Sequence, residues 1–156
     1  MTQTNTHGPD HVEMNPDPAA FDHWPEGMYQ EMLGDVDNGC VGSVLVSETD
    51  TMRIWHLRIP PGKRCRFHRH VNRYFWTAVV PGKARGFFSS GEIRDVDHFQ
   101  GETRHFNYGE GDQMLHSVQN IGDSELIFTT VEFIDGPNAP LPVPDSVRLA
   151  AQGNQK

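Results

Sequence analysis

The sequence predicts an all-β protein, a barrel or sandwich of antiparallel strands. From residue 41 onward, short runs rich in β-branched and aromatic residues alternate with Gly and Pro turn signals at intervals of about 8–12 residues. No long amphipathic helix interrupts the series, which excludes a parallel βαβ arrangement. The 156 residues suffice for one domain with one core and no more.

Three stretches divide the chain. Residues 1–35 read as an N-terminal arm. Its first 22 residues are polar, rich in Asn, Asp, Pro and Thr, without helical or strand period. PEGMYQEMLGD (25–35) then opens on Pro, sets Met28, Met32 and Leu33 at helix-like spacing and meets Gly34 near its end, so a short helix is expected there. Residues 36–136 form the barrel, through VGSVLVS, MRIWHLRI, RCRFHRH, RYFWTAVV, ARGFFSS, EIRDVDHF, TRHFNY, QMLHSVQ and ELIFTTVEFI. Residues 137–156 hold closely spaced prolines that preclude a central strand and predict an extended strap followed by a tail.

Charge and composition narrow the function. A formal net charge of -8 argues against a sequence-independent grip on nucleic acid or on an anionic membrane, since both need a clustered positive field. No apolar run approaches the roughly 20 residues of a membrane span, and the first residues lack the apolar core of a signal peptide, so the cytoplasm is the expected compartment. Cys40 and Cys65 form no CxxC and no disulfide framework, and both are expected to be reduced. There is no GxSxG, no GxGxxG and no Walker sequence, so nucleophilic hydrolysis and nucleotide chemistry lack support. The partner expected is a small molecule. Phe21, Trp24, Met28 and Tyr29 lie in an arm without a core of its own; they need a surface to cover, either this barrel or a second copy, and a homodimer is expected on that ground.

The chemistry sits in CRFHRHVNRYFW. His68 and His70 are one residue apart on an expected strand, where residues i and i+2 point to the same face. Some forty residues later LHSVQN places His116 on another strand, with Asn120 opening a turn. Two imidazoles on one strand and a third from a neighbour can converge on a divalent cation while leaving positions open for substrate, the geometry of a catalytic metal. With nine histidines in the chain, an HxH pair arises by chance about half the time. The conjunction with His116 and the flanking turns carries the reading.

In these residues the chain resembles the cupin family, whose first motif reads G-x5-HxH-x3/4-E-x6-G and whose second ends in H-x3-N. Gly62, His68, His70 and Gly82 sit at the first motif's spacings, His116 and Asn120 at the second's end, and the resemblance covers about residues 40–135. It implies a jelly-roll barrel, or double-stranded β-helix, with a metal site at one mouth. The small single-domain cupins grouped with a β-alanine degradation protein are similar in having an HRH tripeptide followed by a tyrosine. Two departures stand out. The family's glutamate position falls on Tyr74 or Phe75, depending on the count after His70, and Gly111, Asp112 and Gln113 replace the usual PxG.

An all-imidazole site leaves the ion a higher net positive charge, which weakens its hold and favours an anionic chelating substrate. The resemblance implies a metal-dependent enzyme on a small anionic organic acid or ketone, with three-histidine Fe(II) dioxygenase chemistry first and Mn, Ni, Cu or Zn as other ions. The alternative is a non-catalytic small-ligand-binding cupin with a decayed metal site. Tyr74 is the candidate catalytic residue, as a hydrogen-bond donor aimed into the barrel. Arg66 and Trp76 are the candidate substrate contacts: Arg66 precedes His68 by two and on a strand would face the same way. Lys63, Arg64, Arg69 and Arg73 are expected to form a solvated basic stripe. His56 and His105 lie on expected strands and could enter the barrel, though a lone strand histidine is more often structural; His105 is the reserve ligand. Asn120 is expected to stabilise its turn, His7, His11 and His23 in or beside the arm need no role, and His98 sits near a turn.

Overall fold

The computed structural model describes residues 10–149. His7, the first nine residues of the arm and the last seven of the tail lie outside the described residues. Nine strands follow a short arm: β1 (Val44–Glu48), β2 (Met52–Ile59), β3 (His68–His70), β4 (Tyr74–Ala78), β5 (Gly82–Phe88), β6 (Ile93–His98), β7 (Thr103–Phe106), β8 (Met114–Asn120) and β9 (Leu126–Phe133). They form two antiparallel sheets, ordered β1-β2-β9-β4-β7 and β3-β8-β5-β6, packed face to face. Alternation makes the interior. Leu57, Ile59, Leu126 and Phe128 point inward from the first sheet and meet Ala84 of the second in one apolar cluster.

The arm contains one helix, α1 (Met28–Gly34), entered through Gly27 at φ 83°, a left-handed conformation that favours glycine. Met28 and Met32, four residues apart, are buried on one face. Leu33 instead faces solvent, because it lies off that stripe. Phe21, Trp24, Met28 and Met32 cover Phe67, Phe87 and Leu115 on the outer face of the second sheet, and Trp24 Nε1 donates to Gly91 O at 3.1 Å. The arm's apolar groups therefore find their cover on their own barrel. The ground on which a homodimer was expected is thereby removed.

The basic stripe is not simply solvated. Arg64 grips Glu31 of α1 with two hydrogen bonds of 2.7 and 2.9 Å, Arg66 reaches Asp35 and Arg69 reaches Asp37. These pairs hold α1 and the following loop against the strand entry, and the Arg64 guanidinium keeps the Glu31 carboxyl below the usual carboxylate range. Farther upstream, the arm crosses the barrel end between the sheets. Asp10 N donates to Asn107 O, Val12 N to Gln113 O and Asn15 N to Ser89 O, at 2.9–3.0 Å. The Pro-rich segment after β9 packs Val143 and Val147 on Val41, Leu45 and Trp55. Among the described residues no helix is long and apolar enough to cross a membrane.

Asn120 is fully buried and does more than support its own turn. Its Nδ2 donates to Ile59 O at 2.8 Å and Ser124 O at 2.7 Å, while its Oδ1 accepts from Gly122 N at 2.9 Å. It thereby ties the end of β8 to the end of β2. Asn120→Ala strands two carbonyls and an amide away from water, and the expected loss is about 3 kcal/mol of unfolding free energy, read from urea denaturation against wild type.

Candidate metal centre

Strand β3 is only three residues long, but it pairs with β8 in a register that sets His68 opposite His116, Arg69 opposite Leu115 and His70 opposite Met114. Same-face alternation puts His68 and His70 inward, and the register brings His116 beside them. One ring nitrogen from each histidine lies within 4.8 Å of the other two. Nε2 of His70 and Nε2 of His116 are 3.2 Å apart. Two nitrogens each bound at about 2.0–2.1 Å to one ion, at angles between octahedral and tetrahedral, stand roughly 2.8–3.4 Å apart. The separation of the pair is that of two nitrogens on one ion, and also that of an N–H···N hydrogen bond between the two rings.

Orientation of the rings is uneven. Nδ1 of His68 lies 3.0 Å from the Arg66 carbonyl and donates to it, which leaves the Nε2 lone pair for an ion. Nδ1 of His70 and of His116 is buried without a hydrogen-bond partner. Burial holds all three imidazoles neutral: His68 is depressed to about 4, and His70 and His116 lie well below 6.5, each also disfavoured by the neighbouring His68. Neutral imidazole is the form a metal takes.

Tyr74, not Phe75, faces this cluster. The chain leaves β3 through an irregular Val71–Arg73 and re-enters a strand at Tyr74, whose ring stacks on His70 at 3.8 Å and on Phe106 at 4.4 Å. Phe75 turns to the opposite face and packs on His105 and Phe133. The hydroxyls of Tyr74 and Tyr108 are both buried without a well-directed hydrogen bond. Burial, followed by the neighbouring Tyr108, pushes the Tyr74 phenol well above its ordinary value, so it is a proton donor at neutral pH.

The three histidines line a cavity of about 380 Å³ that also takes in Tyr74 and Trp76. Arg66 does not reach it. Residues before His68 are not in a strand, so the alternation that would turn Arg66 inward does not apply; its side chain is 67% exposed and bound to Asp35. His105 is exposed on the outer face of β7, away from the cluster.

Two groups escaped the sequence reading. Arg104, the residue before His105, has the opposite parity and lines the cavity, and its guanidinium lies over Phe106 at 4.5 Å. His98 also lines the cavity, with Nδ1 3.0 Å from Glu102 Oε1 and its ring edge-on between Trp76 and Phe128. It is no ligand of the cluster, because β5 pairs Gly82 with His98 and Phe88 with His116, two points roughly 20 Å apart along the strand. The inward parity of Arg104 was readable in TRHFNY only with the faces of that strand already known.

No family model matches the chain. A stretch of 75 residues, 47% of this chain, is 32% identical to the oxalate decarboxylase of Bacillus subtilis and spans 18% of that protein, so the chain covers about a fifth of its curated relative's length. Among solved structures, a cupin domain from Bordetella pertussis superposes with a TM-score of 0.50 at 20% identity, over 56% of this chain and 85% of that one. A double-stranded β-helix protein from Klebsiella pneumoniae gives 0.47 at 22% identity, over 64% and 76%. The chain has the cupin fold, a double-stranded β-helix, and at one end of its barrel it carries a cluster of three histidines that can bind a metal ion.

The depressed histidines make the metal-free protein acid-sensitive. Between pH 6.5 and about 4 the unfolded chain takes up a proton on His68 that the folded chain refuses, so stability falls as pH falls through that window. For His68 alone the loss approaches roughly 3 kcal/mol. In urea titrations at pH 7 and pH 4.5, His68→Gln is expected to flatten this dependence by up to about 1.4 kcal/mol per pH unit.

Proposed function

We propose that the protein is a metal-dependent enzyme acting on a small anionic organic acid or ketone, with oxygenation of the substrate by dioxygen as the first reaction to consider. The observation that carries this reading is the 3.2 Å approach of the His70 and His116 Nε2 atoms beside inward-facing His68, in the wall of a cavity. His68, His70 and His116 would hold the ion. Fe(II) stands first, with Mn, Ni, Cu or Zn as other occupants. Bound there, a divalent ion supplies Lewis acidity and, if redox-active, a place for dioxygen to be activated.

The protein's own groups divide the remaining work. Three neutral imidazoles cancel none of the ion's charge, which favours anionic substrates over neutral ones. Tyr74 keeps its phenolic proton at neutral pH and lies against His70, placed to donate a hydrogen bond to a substrate oxygen. Trp76, the next inward residue on β4, forms an apolar wall. Phe106 and Met114 pack around Tyr74 and keep water from that side. The oxalate decarboxylase relative acts on a small organic acid, as its name states, which supports the substrate class.

A second reading rests on the unpartnered Nδ1 atoms of His70 and His116. Metal-bound histidines almost always donate from their other nitrogen, and losing that support typically costs 10–100-fold in affinity. By this reading the cavity binds a small ligand without chemistry, and the metal site has decayed.

Elemental analysis separates the two. Alanine at His68, His70 or His116 is expected to lower bound metal more than tenfold, while His105→Ala retains it. Equal metal in all four variants, or wild-type protein that cannot be loaded, would refute the metal centre and favour the non-catalytic reading. Oxygen uptake by iron-loaded protein with a panel of small acids and ketones tests the reaction. Tyr74→Glu places a carboxylate beside His70 and is expected to tighten metal binding at least tenfold in competition with a chelator.

A further inference from the structure

Two arginines line the cavity, and they differ in what their donors do. Arg94 gives three hydrogen bonds of 3.0–3.3 Å to the Glu92 carboxylate. Arg104 makes no hydrogen bond among the described residues; it has an ion pair at 3.5 Å from its Nη2 to Asp10 Oδ1, and its side chain is 35% exposed. A guanidinium that faces a cavity, with one ion pair at 3.5 Å and no hydrogen bond to a described residue, presents a planar fork suited to bidentate capture of a carboxylate.

Its position is fixed relative to the histidines. Arg104 lies opposite Trp76 in the sheet, and Phe106 lies opposite Tyr74. The guanidinium rests on Phe106, Phe106 stacks on Tyr74, and Tyr74 stacks on His70. Arg104 thus stands at the outer end of a stack whose inner end is a candidate ligand, with aromatic rings between them.

Asp10 shows what Arg104 is built to hold. This carboxylate belongs to the arm where it crosses the barrel end, its Oδ2 accepts from Asn107 N at 3.1 Å, and its side chain is 6% exposed. Charge points the same way. Three neutral imidazoles and a divalent ion would leave two positive charges uncompensated at the cluster. Of the other charged groups in the cavity wall, Arg94 pairs with Glu92, Glu102 bonds His98 at 3.0 Å, and Arg104 pairs with Asp10 on the crossing segment. A substrate with two anionic groups would satisfy the ion and Arg104 together.

We propose that Arg104 anchors the distal anionic group of the substrate, so that the site selects organic acids carrying a second anionic group several bonds from the one that chelates the ion, and that Asp10 occupies this anchor when substrate is absent. The proposal rests on the metal-centre reading above. It also predicts poor binding of oxalate, whose two carboxylates are directly bonded, because Phe106 and Tyr74 lie in the stack between Arg104 and His70.

Calorimetric titration of cobalt-loaded and metal-free protein with oxalate, succinate, glutarate and adipate, against butyrate as the single-charge reference, tests it. Wild type is expected to bind at least one of the three longer diacids tenfold or more tighter than butyrate. Arg104→Gln erases that preference while cobalt content and butyrate affinity stay unchanged. Arg104→Lys, with a point charge and no fork, keeps part of it, and Asp10→Asn tightens diacid binding severalfold by removing the competing carboxylate. Absence of a diacid preference in wild type, or a preference that survives Arg104→Gln, overturns the proposal. Failure to take up cobalt defeats the metal centre; in metal-free protein Arg104 is then read from carboxylate binding itself, which Arg104→Gln is expected to weaken tenfold or more for butyrate and diacid alike, and unchanged binding overturns the anchor.

Discussion

The pairing of β3 with β8 is the constraint on which the rest of the site depends. Three residues of β3 are enough because the register places His68 across from His116, and alternation then carries His70 to the same interior face. A slip of one residue would turn both β3 histidines outward and leave His116 alone in the cavity. Arg64, Arg66 and Arg69 tie the flanks of this short strand to Glu31, Asp35 and Asp37, so ion pairs around α1 help to hold a metal-site register in place.

The arm serves the same end by a second route. Its aromatic residues cover the outer face of the β3-β8-β5-β6 sheet, which dries the back of the strands whose front carries the histidines. Farther upstream the same segment bonds to the ends of β7, β8 and β5 and brings Asp10, His11 and Val12 to the cavity. Burial that stabilises the sheet and burial that lowers the proton affinity of the imidazoles are therefore one structural fact. The same burial that keeps the three imidazoles neutral makes the fold less stable in acid.

Beside the histidine cluster stands Tyr74, a phenol and not a carboxylate, and this sets the electrostatics of that end of the barrel. A bound divalent ion would keep its full charge, and the phenol stacked on His70 remains protonated. Positive potential then accumulates toward the inside and is met at the rim by Arg104 with its counter-charge on the arm. With an ion bound, such a gradient would draw anions inward and give a cavity with apolar walls a preference for charged ligands.

The sequence by itself determined the strand series, the double sheet, and the inward pair His68 and His70, because alternation and turn residues are local and β-branched runs between Gly and Pro leave few other conformations. Through motif spacing it also brought His116 into the site. It misjudged Arg66, since the strand begins only at His68 and side-chain parity has no meaning in the irregular segment before it. It left Tyr74 and Phe75 undecided: parity from His70 favours Tyr74, but the irregular Val71–Arg73 joins strands in different sheets, where parity need not carry over, and only the structure shows that it does. Arg104, the Asp10 contact and the packing of the arm on its own barrel were decided by tertiary structure alone. Each joins residues distant in sequence, and which face of β7 looks inward is set by its pairing with β4 and by the opposing sheet, not by the four residues of the strand.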